Sequence, residues 1–213
     1  MENIQGIIFD LDGVLVHTDE LHYLAWKAIA DEAGIFFDRE VNNRLRGVSR
    51  MESLEIILEK CSKNRADAEK LDMATRKNDL YRASLTSLTA DSVDPAVRAA
   101  LHTLRGRGYR LAIGSSSKNA AGILANTQLS DLFENVTDGN DISNSKPHPE
   151  VFLKAAAGLG LSPDTCVVVE DARAGVDAAV DGGFACFAMG DAADYPRATH
   201  KLHNFTDLLE WLT

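Results

Sequence analysis

The first pattern in the chain is Gly6-Ile7-Ile8-Phe9, an apolar run that stops abruptly at Asp10-Leu11-Asp12-Gly13. Branched and aromatic residues ended by acids and a glycine predict a buried strand opening into a loop. From Asp19 to about Ala33 the period changes. Leu21, Leu24, Ala25, Ala28 and Ile29 recur at helical spacing, and Gly34 supplies the stop. Helix-type sequence follows over Arg39–Leu45, Ser49–Cys61 and Ala66–Leu85, and no strand pattern appears before about residue 109. A helical block of this length after a single strand predicts an inserted cap, 16–88, on a core made of 1–15 and 89–213. Asp94-Pro95 marks the return to the core.

Beyond the return, strand and helix patterns alternate. Strands are expected over Arg110–Ile113, Cys166–Val169 and Phe184–Ala188. Helices are expected over Val97–Leu104, Asn119–Thr127, Glu150–Ala157, Gly175–Val180 and Asp207–Leu212. The wholly apolar Cys166-Val167-Val168-Val169 reads as a strand covered on both faces. The implied class is α/β, a doubly wound parallel sheet of Rossmann-like type carrying an α-helical cap.

Composition narrows the class of partner. The 213 residues are 45% hydrophobic and carry a formal net charge of −10. Such a chain has material for an ample core, and its charge argues against a general nucleic-acid or anionic-membrane surface. An anionic ligand in a local basic pocket stays compatible. No apolar run approaches the roughly 18 residues of a membrane span, and the first strand starts too near Met1 to leave room for a leader. Cys61, Cys166 and Cys186 are odd in number and lack Cys-x-x-Cys spacing, as expected of reduced thiols in a cytoplasmic protein.

Chemistry gathers at the predicted strand ends, where open α/β sheets place their sites. In an extended segment residues i and i+2 point the same way, so Asp10 and Asp12 address one site. Two close carboxylates call for a divalent cation, and Mg²⁺ is the usual guest where carboxylates meet phosphate. One carboxylate suits a nucleophile that forms an aspartyl-phosphate, the other a general acid/base. Taken alone, the motif is equally a surface turn. Ser115, Ser116, Ser117, Lys118 and Asn119 end the next strand and open a helix. Hydroxyls, an ammonium group and free N–H groups make an anion site, beyond what a helix cap needs. Glu170-Asp171 ends another strand, where two acids at a sheet centre need a cation or a lysine. Lys146, stiffened by Pro147 and Pro149, is the candidate positive charge.

Taken in order, Asp10-Leu11-Asp12-Gly13, Ser115, Lys146 and Glu170-Asp171 resemble the four motifs of the haloacid dehalogenase superfamily. The resemblance spans the full length. It implies that Asp10 is the nucleophile, Asp12 the general acid/base, and that Ser115 and Lys146 hold the transferring phosphoryl group. It implies Mg²⁺ on Asp10, the Asp12 backbone carbonyl, Glu170 and Asp171. The cap carries His22 and Trp26 one turn apart, then Arg46-Gly47-Val48-Ser49-Arg50, Ser53 and Lys77. With Ser115–Asn119 these resemble the β-phosphoglucomutase family within that superfamily. There the loop matching Gly47–Arg50 closes over a sugar phosphate. Arg50, Ser117 and Asn119 hold the phosphate that is not transferred, Lys77 contacts the sugar, and His22 positions the acid/base. The implied reaction interconverts β-D-glucose 1-phosphate and glucose 6-phosphate through β-glucose 1,6-bisphosphate, in a monomer acting on small sugar phosphates.

Three positions depart from the family pattern. Arg46 stands where lysine is usual, the hinge reads Val16-His17-Thr18, and Asp94-Pro95-Ala96 replaces Pro-Gly. The rival within the superfamily is a phosphatase for a small sugar phosphate, which shares the core residues but not the cap set. A phospho-accepting receiver module also pairs acids with a lysine, but it needs no lid of about 70 residues.

Overall fold

The computed structural model describes residues 3–59, 61 and 65–213. Position 60, inside the helix expected to run to Cys61, lies outside that set. The core is a six-stranded, all-parallel sheet of β1 (Gly6–Phe9), β2 (Arg110–Gly114), β3 (Asn135–Thr137), β4 (Cys166–Glu170), β5 (Ala185–Ala188) and β6 (His200–Lys201). The strand order is β3-β2-β1-β4-β5-β6, so β1 lies between β2 and β4. In that register Phe9 lies beside both Ile113 and Val169. The residues just past those strand ends are therefore neighbours.

Strand alternation divides the core into two layers. Ile7, Phe9, Leu111, Ile113, Val167 and Val169 face α5 (Pro95–Gly106), α6 (Ala120–Asn126) and α9 (Leu208–Trp211). Ile8, Ala112, Cys166 and Val168 face the opposite way, onto α7 (Glu150–Gly158) and α8 (Arg173–Asp181). All are buried, which is why these strands read as continuous apolar runs.

The segment after β1 forms α1 (Asp19–Glu32), α2 (Arg39–Asn43), α3 (Arg50–Leu58) and α4 (Asp67–Leu85). They enclose a third cluster of their own, including Trp26, Ile29, Leu54, Ile57 and Met73. α3 starts with a capping box in which the Ser49 hydroxyl and the Glu52 carboxylate satisfy each other's backbone N–H.

The sheet has two strands that the sequence pattern does not announce, β3 and β6. They are three and two residues long, too short for alternation to register, and their pairing to β2 and β5 is what makes them strands. The helix expected to reach Leu45 stops at Asn43. Among the described residues no helix is long and apolar enough to cross a membrane.

Candidate active site

Asp10, Ser115 and Glu170-Asp171 meet at the carboxyl edge of the central strands. The Asp10 N–H donates to the Val169 carbonyl (2.9 Å), the Ser115 N–H to Thr137 (3.1 Å) and the Met189 N–H to Glu170 (2.8 Å), so the sheet pins each backbone. Lys146 is fully buried and bridges two acids, its Nζ donating to Asp10 Oδ1 at 2.6 Å and Glu170 Oε1 at 2.7 Å. It thus sits between two carboxylates. The Glu170 carboxylate also accepts the N–H groups of Asp171 (2.8 Å) and Ala172 (2.9 Å). It packs where a Cβ on Gly175 would stand, so glycine is required there. Gly13, at φ +92°, makes the same room for the Asp171 carboxylate.

Carboxylate oxygens of Asp10, Glu170 and Asp171 all lie within 4.8 Å of one another. Burial, joined by Glu170 and Asp12 and opposed by Lys146, pushes Asp10 up to about 7. Burial and the neighbouring Glu170 and Asp10 push Asp171 well above the usual carboxylate range, against Arg46. Asp10 and Glu170 share Lys146, and Arg46 divides its charge among Asp171 and two further acids. Oxygen ligands in this number and closeness suit a hard divalent cation, so the residues fit a metal of the Mg²⁺ type.

The Asp12 side chain points away from that trio. Its Oδ1 accepts from Thr18 Oγ1 and, at 3.4 Å, from the Tyr81 hydroxyl, with His22 Nε2 at 4.0 Å. Burial raises its pKa while the Thr18 bond lowers it. His22 stacks on Tyr81 at 3.9 Å, and its Nδ1 lies 2.8 Å from Lys77 Nζ. Burial first, then Lys77 and Arg50, hold His22 well below the usual imidazole range. The ring is then neutral, with Nδ1 accepting from the ammonium group. Burial and the nearby Arg50 bring Lys77 down to about 7, which Asp12 partly resists.

Across the cleft the serine loop is knitted by its own hydroxyls. Ser115 Oγ accepts the Ser117 N–H (3.1 Å) and Ser117 Oγ the Asn119 N–H (3.2 Å), which leaves both hydroxyl hydrogens to donate elsewhere. α6 is only seven residues long, so the hydroxyls rather than the helix end form the polar wall. Asn119 does not cap α6; its amide donates to Asn78 of the cap at 3.1 Å. Ser116 Oγ is buried without a partner among the described residues. The half-buried Arg50 and the exposed Lys118 line the same cleft.

All the sequence-predicted residues but two, Lys146 and Glu170, line one cleft of about 980 Å³ including its mouth. Those two lie buried in its floor, against Asp10. Gly47, Val48, Ser49 and Ser53 contribute from the cap loop and α3. Trp26 does double duty: it is buried in the cap cluster and carries Lys77 Nζ 5.1 Å from its ring centre. Arg46 is ion-paired with Asp19, Asp171 and Asp191. Sequence reasoning missed Tyr81 and Thr18. Tyr81 stands one helical turn after Lys77, a spacing that marks it for the same face. Thr18 carried no signal, because its role comes from the chain doubling back, with Gly13 N–H donating to Val16 O at 2.8 Å.

With this geometry in hand, comparison with known proteins is specific. A family model described as haloacid dehalogenase-like hydrolase matches residues 4–183. A β-phosphoglucomutase of Bacillus subtilis (strain 168) is 40% identical over 195 residues, 91% of this chain and 85% of that one. A fructose-1-phosphate phosphatase of Escherichia coli (strain K12) is 31% identical, over 85% of this chain and 94% of that one. The crystal structure of a β-phosphoglucomutase from Clostridium difficile superposes with a TM-score of 0.92 at 35% identity, covering 98% of this chain and 95% of that one. Acids at two adjacent strand ends, a serine at a third, a buried lysine among them and a match over most of the length agree: the chain belongs to the haloacid dehalogenase-like hydrolase family.

Proposed function

We propose that this chain is a β-phosphoglucomutase that interconverts β-D-glucose 1-phosphate and glucose 6-phosphate. The observation that carries the reading is a second cation in the cleft besides the one at the nucleophile. Lys146 lies in the floor beside Asp10. Arg50 lines the same cleft from the start of α3. A sugar bisphosphate needs two such groups; a phosphatase needs one. The relatives named for this mutase at 40% and 35% identity support the same choice.

In this reading Asp10 attacks phosphorus. A bond forms between phosphorus and the Asp10 carboxylate as the bond to the donor oxygen breaks. Lys146 and the Ser115 hydroxyl hold the phosphoryl oxygens, and Ser116, whose buried hydroxyl has no partner among the described residues, adds a donor. Asp12, oriented by Thr18 and Tyr81, takes the proton of the sugar hydroxyl that attacks the phosphoenzyme and returns it in the reverse step. Arg50, Ser117 and Asn119 grip the other phosphate, so β-glucose 1,6-bisphosphate is bound in either orientation. Segment 16–88 is the lid, between core segments 1–15 and 89–213, and it excludes water so that sugar outcompetes hydrolysis. Mg²⁺ on Asp10, Glu170, Asp171 and the Asp12 carbonyl would offset the phosphoryl charge that otherwise repels the nucleophile.

The test supplies β-glucose 1-phosphate, Mg²⁺ and trace bisphosphate, and follows glucose 6-phosphate and free phosphate together. Glucose 6-phosphate should appear much faster than phosphate, and Asp10→Asn should abolish both. Release of phosphate as the main product would make the protein a phosphatase, and near-normal turnover by Asp10→Asn would remove the nucleophile assignment.

A further inference from the structure

Arg46 makes more charged contacts than holding a loop requires. Its Nη1 donates to Asp191 Oδ2 at 2.6 Å, and its Nη2 to Asp19 Oδ2 at 2.9 Å and to Asp171 Oδ2. Asp171 follows β4 and Asp191 follows β5, both in the core, while Asp19 opens α1. One guanidinium on the cap loop therefore ties that loop to two strand ends and to the helix leaving the hinge. The arginine side chain is 20% exposed and that of Asp171 4%, so water screens this pair poorly. A lysine could not span three acids lying in different directions; the planar fork can.

Asp171 also belongs to the acid trio, and the two roles conflict. A guanidinium cannot coordinate a metal, and a divalent ion a few ångströms away repels it. We propose that Arg46 is a latch that stands in for the ion: it neutralises Asp171 and clamps the cap loop to the core until the ion takes Asp171, which frees the loop. This rests on the reading that Asp10, Glu170 and Asp171 hold Mg²⁺. Linkage makes the effect reciprocal, so whatever the latch costs the ion, the ion costs the latch. A latched state favoured about tenfold lowers the apparent affinity for the ion about tenfold.

The substrate-free protein tests this directly. Mn²⁺ is titrated and read by the EPR signal of the free ion, with Mg²⁺ as competitor, while hydrogen exchange follows the backbone of residues 44–49. Arg46→Ala should bind both ions roughly tenfold more tightly. Arg46→Lys, which keeps the charge and cannot span three acids, should fall between. In the wild type, added Mg²⁺ should speed exchange in the loop; in Arg46→Ala exchange should already be fast and ignore Mg²⁺. Equal or weaker ion binding by both variants would overturn the latch and make Arg46 a support for the ion. So would a wild-type loop that Mg²⁺ leaves unchanged, since tighter binding would then reflect only the loss of a like charge. A wild type that binds neither ion would sink the metal reading itself, and the latch with it.

Discussion

Replacing Lys146 with methionine keeps most of the side chain's volume and deletes one charge. Its Nζ lies 2.6 Å from Asp10 and 2.7 Å from Glu170, and the lysine and glutamate are fully buried. At an effective dielectric of about 20 each contact is worth roughly 6 kcal/mol before desolvation. The buried ammonium pays most of that back, and removing one partner of a buried pair typically costs about 3–5 kcal/mol. The cost depends on pH in a known direction. Without Lys146, Asp10 rises further above its already elevated value of about 7. The folded variant then holds protons that the unfolded chain has released, so its stability falls as pH rises from about 4 through the elevated value. Urea unfolding of the metal-free variant should show a small loss at pH 5 and a clearly larger one at pH 8. Added Mg²⁺ should recover part of it at pH 8, by replacing the missing charge. Turnover in the coupled assay should fall about 100- to 1000-fold, the scale for one preorganised donor at a phosphoryl group. A variant as stable as wild type at pH 8 without metal, or turnover within about threefold, would refute the assigned role of this lysine.

Three further outcomes follow from the same geometry. Thr18→Val removes the nearer donor to Asp12 and should lower kcat roughly tenfold, whereas Tyr81→Phe removes a 3.4 Å contact and should cost about threefold or less; the reverse ranking in steady-state kinetics would mean that the tyrosine positions the acid. Lys77 is charged and buried below about pH 7, and between that value and its ordinary 10.5 the unfolded chain keeps a proton the folded chain has lost, so native stability rises across that window. Lys77→Met lifts a burden of up to about 5 kcal/mol, so it should raise Tm at pH 6 much more than at pH 10, and equal shifts would show that the lysine is not the strained group. Arg50→Ala should reduce mutase flux about 100-fold while slow hydrolysis of the phosphoenzyme changes little; equal losses would mean that Arg50 does not hold a second phosphate.

Local pattern was enough to read the core. Ile7, Ile8 and Phe9, and Cys166 to Val169, declare buried strands because both of their faces must be apolar. Asp10, Glu170 and Asp171 mark a candidate site because open α/β sheets place their chemistry just past such strand ends. Helical spacing was also enough to place α1 to α4 between β1 and β2, with no strand among them in the described residues. Ends of helices were read less well: α2 stops at Asn43, short of Leu45, and α3 at Leu58, short of Cys61, because the last turn is decided residue by residue.

What sequence could not settle is everything that depends on which side chains meet across long separations. The partners of Lys146 lie 136 and 24 residues away, and those of Arg46 lie 27, 125 and 145 residues away. β3 and β6 exist only because a neighbour offers an edge to pair with. Thr18 and Tyr81 become partners of Asp12 only when the cap folds back over the first strand. Residue types and their spacing determine which groups are available and which face of an element they share. Distance, burial and the resulting shifts in charge state are properties of the packed molecule, because an electrostatic interaction depends on separation in space and on the water excluded between the groups.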